Sequence, residues 1–201
     1  MSIAKEGYSY ILILAVVGGI TLLFGFLWIG AGILVLAGFV VFFFRDPERN
    51  FIVNGGEILS PADGKIVSIR KDRDQDTISI FLSVFNVHVN RAPVAGKITE
   101  IQYSKGKFLA AFDERASSEN ERNSITIDHE GKLVRFVQIA GLIARRIICW
   151  KREGETLVAG ERIGLIKFGS RVDVFFPPGA TIRVKMGDKV RAGETVLGDL
   201  V

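Results

Sequence analysis

Residues Leu12 to Phe44 read LILAVVGGITLLFGFLWIGAGILVLAGFVVFFF, without a charged side chain and with Thr21 as the one clearly polar residue. The run is too long for one membrane helix of about 20 residues and barely long enough for two. Gly18-Gly19 and the glycines at 25, 30 and 32 weaken it internally, and Trp28 suits an interfacial position. These features predict a hydrophobic helical hairpin over residues 8–25 and 28–44, either crossing a bilayer twice or dipping into one leaflet. Arg45-Asp46-Pro47-Glu48-Arg49 ends it sharply, because Pro47 restricts Asp46 and cannot continue the helical hydrogen-bond ladder. With Lys5 on one flank and Arg45 and Arg49 on the other, a hairpin that crosses twice has both ends on the cytoplasmic face of the cell membrane. A cleaved signal peptide fits poorly, since the apolar run far exceeds an h-region and only one lysine precedes it.

Beyond Gly55 the rules change. Short runs of period two alternate with glycine-bearing turns, and residues 64–70, 77–84, 96–101, 124–127, 133–139, 172–176 and 181–184 read as strands. Residues 108–122, rich in Glu, Asn and Ser, read as a polar loop. A weak repeat relates Gly154-Glu155-Thr156-Leu157-Val158-Ala159-Gly160 to Gly187-Asp188-Lys189-Val190-Arg191-Ala192-Gly193. Its glycines supply positive φ and its aliphatic residues plug a core. The fold expected is therefore mainly β: a compact barrel or sandwich, with elements like the flattened sandwiches that carry lipoyl or biotinyl groups, behind the hairpin. No lysine occupies the hairpin tip that a swinging-arm carrier needs. The division expected is 1–46 for the hairpin and 47–201 for the β-rich domain.

Composition narrows the chemistry. Lys and Arg number 26 against 22 Asp and Glu in 201 residues, a net charge of +4 that suits an anionic membrane face or an anionic substrate. No basic run or recognition motif points to nucleic acid. A single cysteine, Cys149, excludes an intrachain disulfide framework and a thiolate cluster, and reads as a small buried hydrophobe. With only His88 and His129, no metal site is expected, and His129 in Asp128-His129-Glu130-Gly131 reads as an exposed turn residue. Three places could carry chemistry: Ser60-Pro61-Ala62-Asp63-Gly64-Lys65, an acid on a Pro/Gly turn; Phe85-Asn86-Val87-His88-Val89-Asn90-Arg91-Ala92-Pro93, a histidine at an apolar strand end; and Lys167-Phe168-Gly169-Ser170-Arg171-Val172-Asp173, a Gly-Ser pair before a strong strand. Taken singly, each is more often structural.

Together these three motifs, most specifically Gly164-Leu165-Ile166-Lys167-Phe168-Gly169-Ser170-Arg171-Val172-Asp173, resemble the short form of phosphatidylserine decarboxylase, a pyruvoyl-dependent, self-cleaving proenzyme. The resemblance covers nearly the whole chain. It implies that Ser170 attacks the Gly169 carbonyl, giving an ester by an N-to-O shift. β-Elimination and loss of ammonia then leave a covalent pyruvoyl group, the only cofactor, at residue 170. The products would be a β chain, 1–169, and an α chain, 170–201, held as a heterodimer that can oligomerise further. The resemblance further implies a Schiff base between the pyruvoyl ketone and the serine amine of membrane phosphatidylserine, loss of carbon dioxide, and release of phosphatidylethanolamine. Such chemistry asks for a base and for oxyanion donors. His88 is the expected base and later proton donor, with Asp63 orienting it. Gly169 is expected to keep the attacked carbonyl uncrowded, and Phe168, Phe175 and Phe176 to form an apolar pocket. Longer bacterial members carry two histidines before the corresponding proline; anchored on Pro93, these fall at His88 and Arg91, so if the two divide maturation and decarboxylation, this chain combines the roles in His88 or uses another group. A pyruvoyl decarboxylase acting on another serine-headed lipid, such as archaetidylserine, is an alternative reading. A noncatalytic membrane-anchored binding module is a third.

Overall fold

The computed structural model describes residues 2–50, 55–72, 75–110, 115–142, 146–167 and 169–200. They fall into two units, Met1–Glu48 and Arg49–Val201. In the first, β1 (Ser2–Ile3) precedes α1 (Tyr8–Leu23) and α2 (Leu27–Phe43), and β2 (Arg45–Asp46) closes the unit by pairing with β1. Ala4 N–H donates to the Phe44 carbonyl at 2.8 Å, and the Ser2 hydroxyl to the Asp46 carbonyl at 2.8 Å, so the base of the hairpin is fastened. The helices touch through small residues. A Cβ on Gly18 would lie 2.8 Å from Leu34, and one on Gly30 would lie 2.6 Å from Leu22. Their outer surfaces are apolar: Leu23, Phe24, Trp28 and Val35 are each at least 74% exposed. A helix pair that is apolar all round has no water-facing side.

In the second unit β3 (Glu57–Leu59), β4 (Gly64–Arg70), β5 (Thr77–Leu82), β6 (Val89–Arg91) and β7 (Gly96–Ser104) precede a one-turn helix, α3 (Ala116–Glu119). There follow β8 (Arg122–His129), β9 (Lys132–Ile139), β10 (Ile147–Cys149), β11 (Thr156–Leu157), β12 (Arg162–Ile166), β13 (Ser170–Phe175), β14 (Thr181–Ile182), β15 (Lys189–Val190) and β16 (Val196–Asp199). A curled eight-stranded sheet runs β11-β7-β8-β9-β13-β5-β4-β15, beside two three-stranded sheets, β10-β12-β6 and β14-β16-β3. The pairings between these strands are antiparallel. The alternation visible in the sequence is the reason. Ile125 and Ile127 on β8, Val134 and Phe136 on β9, and Val172 and Val174 on β13 all face one fully buried core.

The expected mainly β fold behind an apolar helix pair is the one observed. Each expected strand is present, with ends shifted by a few residues. The expected loop at 108–122 contains α3 and the start of β8 instead, and its residues 111–114 lie outside the described residues. His129 ends β8, half-buried, with Nδ1 2.8 Å from the Ala95 carbonyl. The turn proper is Glu130-Gly131, with φ of 53° and 87°. Both values are positive, as a two-residue hairpin of this hand requires.

The sequence repeat is structural. Gly154 N–H donates to the Ile98 carbonyl and Gly160 N–H to the Ala92 carbonyl, both at 2.8 Å. In the same way Gly187 N–H donates to the Ile66 carbonyl at 2.9 Å and Gly193 N–H to the Ser60 carbonyl at 2.8 Å. The two copies thus form β11 and β15, the opposite edges of the long sheet, against β7 and β4. At the matching positions Gly96 and Gly64, a Cβ would come within 2.1 Å of the Asp128 carbonyl oxygen and 2.3 Å of that of Phe81. Only glycine fits such a backbone approach.

The first copy ends on an ion pair between Lys151 and Glu161, and Glu161 also accepts from Val158 N–H at 3.0 Å. Burial pushes the Glu161 carboxyl up, but the bonds from Lys151 and Val158 outweigh it and hold the group below its ordinary value. A lowered folded-state value means stability that is present above the unfolded value of about 4.3 and lost as pH falls through the folded one. Glu161→Gln should therefore flatten the acid limb of a plot of thermal midpoint against pH. Because the pair is solvent-screened, the difference at neutral pH should be about 1 kcal/mol or less.

Candidate active site

β13 begins at Ser170, and the first rung of its ladder with β5 is Ser170 opposite Leu82. After Leu82 the chain reverses in a turn built on Asn86, whose Oδ1 accepts from Ser83 N–H at 2.9 Å and from the Ser83 hydroxyl at 2.7 Å. Asp, Asn and Ser favour such turns because their short side chains hydrogen-bond to nearby backbone. The turn delivers His88, which is 2% exposed, with Nδ1 2.9 Å from the Asn86 carbonyl oxygen. A carbonyl can only accept, so Nδ1 carries the proton and Nε2 keeps the lone pair in the neutral ring. The His88 carbonyl in turn accepts from Ile166 N–H at 3.3 Å, four residues before Ser170. The chain from Leu82 to His88 is therefore tied to the chain from Ile166 to Ser170 at both ends, at Leu82–Ser170 and at His88–Ile166.

Ser170 is fully buried, and its hydroxyl has no hydrogen-bond partner among the described residues. Leaving a buried polar group unmatched costs about 1–3 kcal/mol. Gly169 precedes it at φ 58°, where a Cβ would meet no described residue within 4 Å beyond the two chain neighbours. The left-handed backbone is what favours glycine.

Asp63, 9% exposed, accepts two bonds from Arg49 at 2.9 Å and one from Ala192 N–H at 2.8 Å. The proton of His88 Nδ1 thus goes to the Asn86 carbonyl, where Asp63 was the expected orienter. Asp63 is linked to the histidine segment through the backbone instead: Arg91 N–H donates to the Pro61 carbonyl at 2.9 Å. Arg91 at the second histidine position points elsewhere, donating to the Gly160 carbonyl at 3.0 Å. Of the expected pocket of Phe168, Phe175 and Phe176, the two described residues do not line one space. Phe168 lies outside the described residues, Phe176 is fully buried in the core, and Phe175 faces the other side of the sheet with the Arg135 guanidinium 4.0 Å above its ring. Cys149 is half-buried, and burial pushes its thiol up from the ordinary value, away from reactive thiolate.

Other residues of this end carried no expectation. Arg171 and Asp173, at 3% and 1% side-chain exposure, form an ion pair at 2.6 Å that also engages Ser79 and Ser117. On the opposite face Asn123 donates to Gln138 at 3.0 Å and Gln138 to Asn90 at 2.9 Å, all three buried. Their signal was present: Asn123 and Gln138 each occupy the inward register of an otherwise apolar strand. A cavity of about 440 Å³ opens between the Asp63 turn, Ser83, Asn86 and the cations Lys65, Lys189 and Arg191.

The family model described as phosphatidylserine decarboxylase matches residues 36–198. A phosphatidylserine decarboxylase proenzyme of Geobacter metallireducens is 47% identical over 210 residues, covering 98% of this chain and 95% of its own. One of Ralstonia pickettii is 48% identical over 208 residues with the same coverage, and one of Desulfotalea psychrophila is 49% identical over 176 residues, 84% and 82% of the two chains. A chain with a buried serine opening a central strand and a buried histidine bonded through Nδ1 to its own turn thus has decarboxylases as relatives, and the protein is an enzyme. It belongs to the phosphatidylserine decarboxylase family.

The Arg49–Asp63 pair gives the site a test of its own. Arg49→Met leaves a buried carboxylate without its cation and should cost about 3–5 kcal/mol in urea unfolding. Adding Asp63→Asn should recover a substantial part of that loss in a double-mutant cycle.

Proposed function

We propose that this chain is a proenzyme that cuts its own Gly169–Ser170 bond, turns Ser170 into a pyruvoyl group, and decarboxylates phosphatidylserine to phosphatidylethanolamine and carbon dioxide. The observation that carries this reading is the Ser170 hydroxyl, fully buried and unmatched among the described residues, directly after a positive-φ glycine in a chain of this family. An unmatched buried hydroxyl fits a side chain kept for reaction rather than for stability. The pyruvoyl group would supply the electron sink for loss of carbon dioxide.

The chain's own residues supply the rest. His88, with Nδ1–H committed to Asn86, offers Nε2 as the base that takes the Ser170 hydroxyl proton, and later as the donor that returns a proton to the product. Since Arg91 is engaged at Gly160, His88 serves both steps. Asp63 is a positioning residue in this reading: held by Arg49 and Ala192, its turn grips the backbone of Arg91, three residues after His88. The cavity lined by Lys65, Lys189 and Arg191 suits the phosphodiester of a serine phospholipid. The apolar helix pair would anchor the chain to the cytoplasmic face of the cell membrane, where a diacyl substrate resides. At 1.5 Å per residue, α1 and α2 are each about 24–26 Å long, slightly short of a bilayer core of about 30 Å. Fragments 1–169 and 170–201 would remain together as a heterodimer.

Intact mass of purified protein under denaturing conditions tests the reading. Two pieces are expected, the smaller starting at residue 170 with a ketone in place of its amino group. Ser170→Ala should stay a single chain with no decarboxylation of phosphatidylserine vesicles. A parent chain that remains whole in membranes and in detergent removes the prosthetic group and with it the proposal. A cut chain that ignores phosphatidylserine but decarboxylates another serine-headed lipid changes the substrate alone.

A further inference from the structure

We propose that the carboxamide of Asn90 donates the hydrogen bond that holds the Gly169 carbonyl oxygen while Ser170 attacks it; this rests on the self-cleavage proposed above. Period two along β13 puts Ser170 on the same face as Val172, and all of this face is fully buried. Val172 stands opposite Gln138 on β9, so Gln138 projects into the same interior layer. Gln138 is bonded on one side to Asn123 and on the other to Asn90 Oδ1, at 3.0 and 2.9 Å. Asn90 is thereby drawn from the β10-β12-β6 sheet across to the layer that holds Ser170, one two-residue step of about 7 Å along the strand.

What the relay leaves over is informative. Asn90 is fully buried, its Oδ1 is occupied, and its Nδ2 has no partner among the described residues. An unmatched donor and the unmatched Ser170 hydroxyl therefore share one buried layer, and each is costly unless a third group completes it. β6, which carries Asn90, pairs with β12, and β12 leads through Lys167 to Gly169. In the attack the Ser170 Oγ–carbon bond forms as the hydroxyl proton leaves to the base, and the carbonyl pair moves onto the Gly169 oxygen. That negative charge is what Asn90 Nδ2–H would meet. When the pair returns, the bond to the Ser170 nitrogen breaks and the nitrogen takes up the proton, giving the ester. The Asn123–Gln138 relay fixes the amide in advance, so no reorganisation is needed as charge develops.

The test is a pulse–chase of full-length chain made by cell-free synthesis with vesicles, reading the precursor band over time with and without hydroxylamine, which cleaves esters. Asn90→Ala is expected to slow precursor loss by about 10²–10³-fold. Hydroxylamine should not restore it, because the ester itself fails to form. Asn90→Asp keeps the shape and the acceptor for Gln138 but loses the donor, and should be equally slow at neutral pH. Precursor loss within threefold of the parent in either variant overturns the proposal, as does a slow variant that hydroxylamine restores. If Asn90→Ala fails to fold by circular dichroism, Asn90→Asp decides. If the parent never cuts, the proposed function fails too; if the parent cuts and both variants cut alike, only the role of Asn90 fails.

Discussion

The register of β13 is the constraint on which the rest of this structure depends. The strand is bonded to β5 on one side and β9 on the other, and its side chains alternate between two incompatible environments. Val172 and Val174 enter an apolar core, while Arg171 and Asp173 form their ion pair on the opposite face. A slip of one residue would drive a buried guanidinium and carboxylate into that core and bring the valines out, at a cost of several kcal/mol per ion. The fixed register decides where Ser170 sits, and the positive-φ turn at Gly169 decides how the chain arrives there.

The interior of the second unit is of two kinds. Around Ile78, Ile80, Phe136 and Val174 it is wholly apolar and packs as a sandwich core should. Toward the start of β13 it becomes polar, with Asn90, Asn123, Gln138 and Ser170 all buried on β6, β8, β9 and β13, and His88 buried just before β6. A fold seeking stability alone would fill such a layer with Leu and Val. Buried polar groups left partly unmatched mark a place where stability has been given up, and such places are where chemistry is expected.

Much of this was readable in the sequence, for physical reasons that also explain what was not. The helix pair was legible because charge is absent from Leu12 to Phe44. Long strands such as β4, β8 and β9 declare their period, but two- and three-residue strands such as β11, β15 and β6 are too short to show one. Their positions follow from glycine turns and backbone bonds across sheets. The Asp63–Arg49 pair was not legible, because nothing in a Pro/Gly turn announces which distant cation will close on it. Arg91 reads in sequence as a lost histidine; in the fold it clasps the Gly160 turn. Asn123 and Gln138 were the readable signal left unused, since a polar residue on the buried beat of an apolar strand has to be matched by another buried polar group.

The paired edges of the long sheet bear on what a break after Gly169 would leave. The copy of the repeat that forms β11 belongs to the stretch before that bond, and the copy that forms β15 to the stretch after it. The later stretch also supplies β13 to the middle of the long sheet, and β14 and β16 to the sheet they share with β3. Severed at that point, the two polypeptides would be interwoven like the strands of a splice, each holding one border of a surface that the other completes. Neither could leave without dismantling the core they share, so the altered chain end would be retained for the working life of the molecule without any covalent tether.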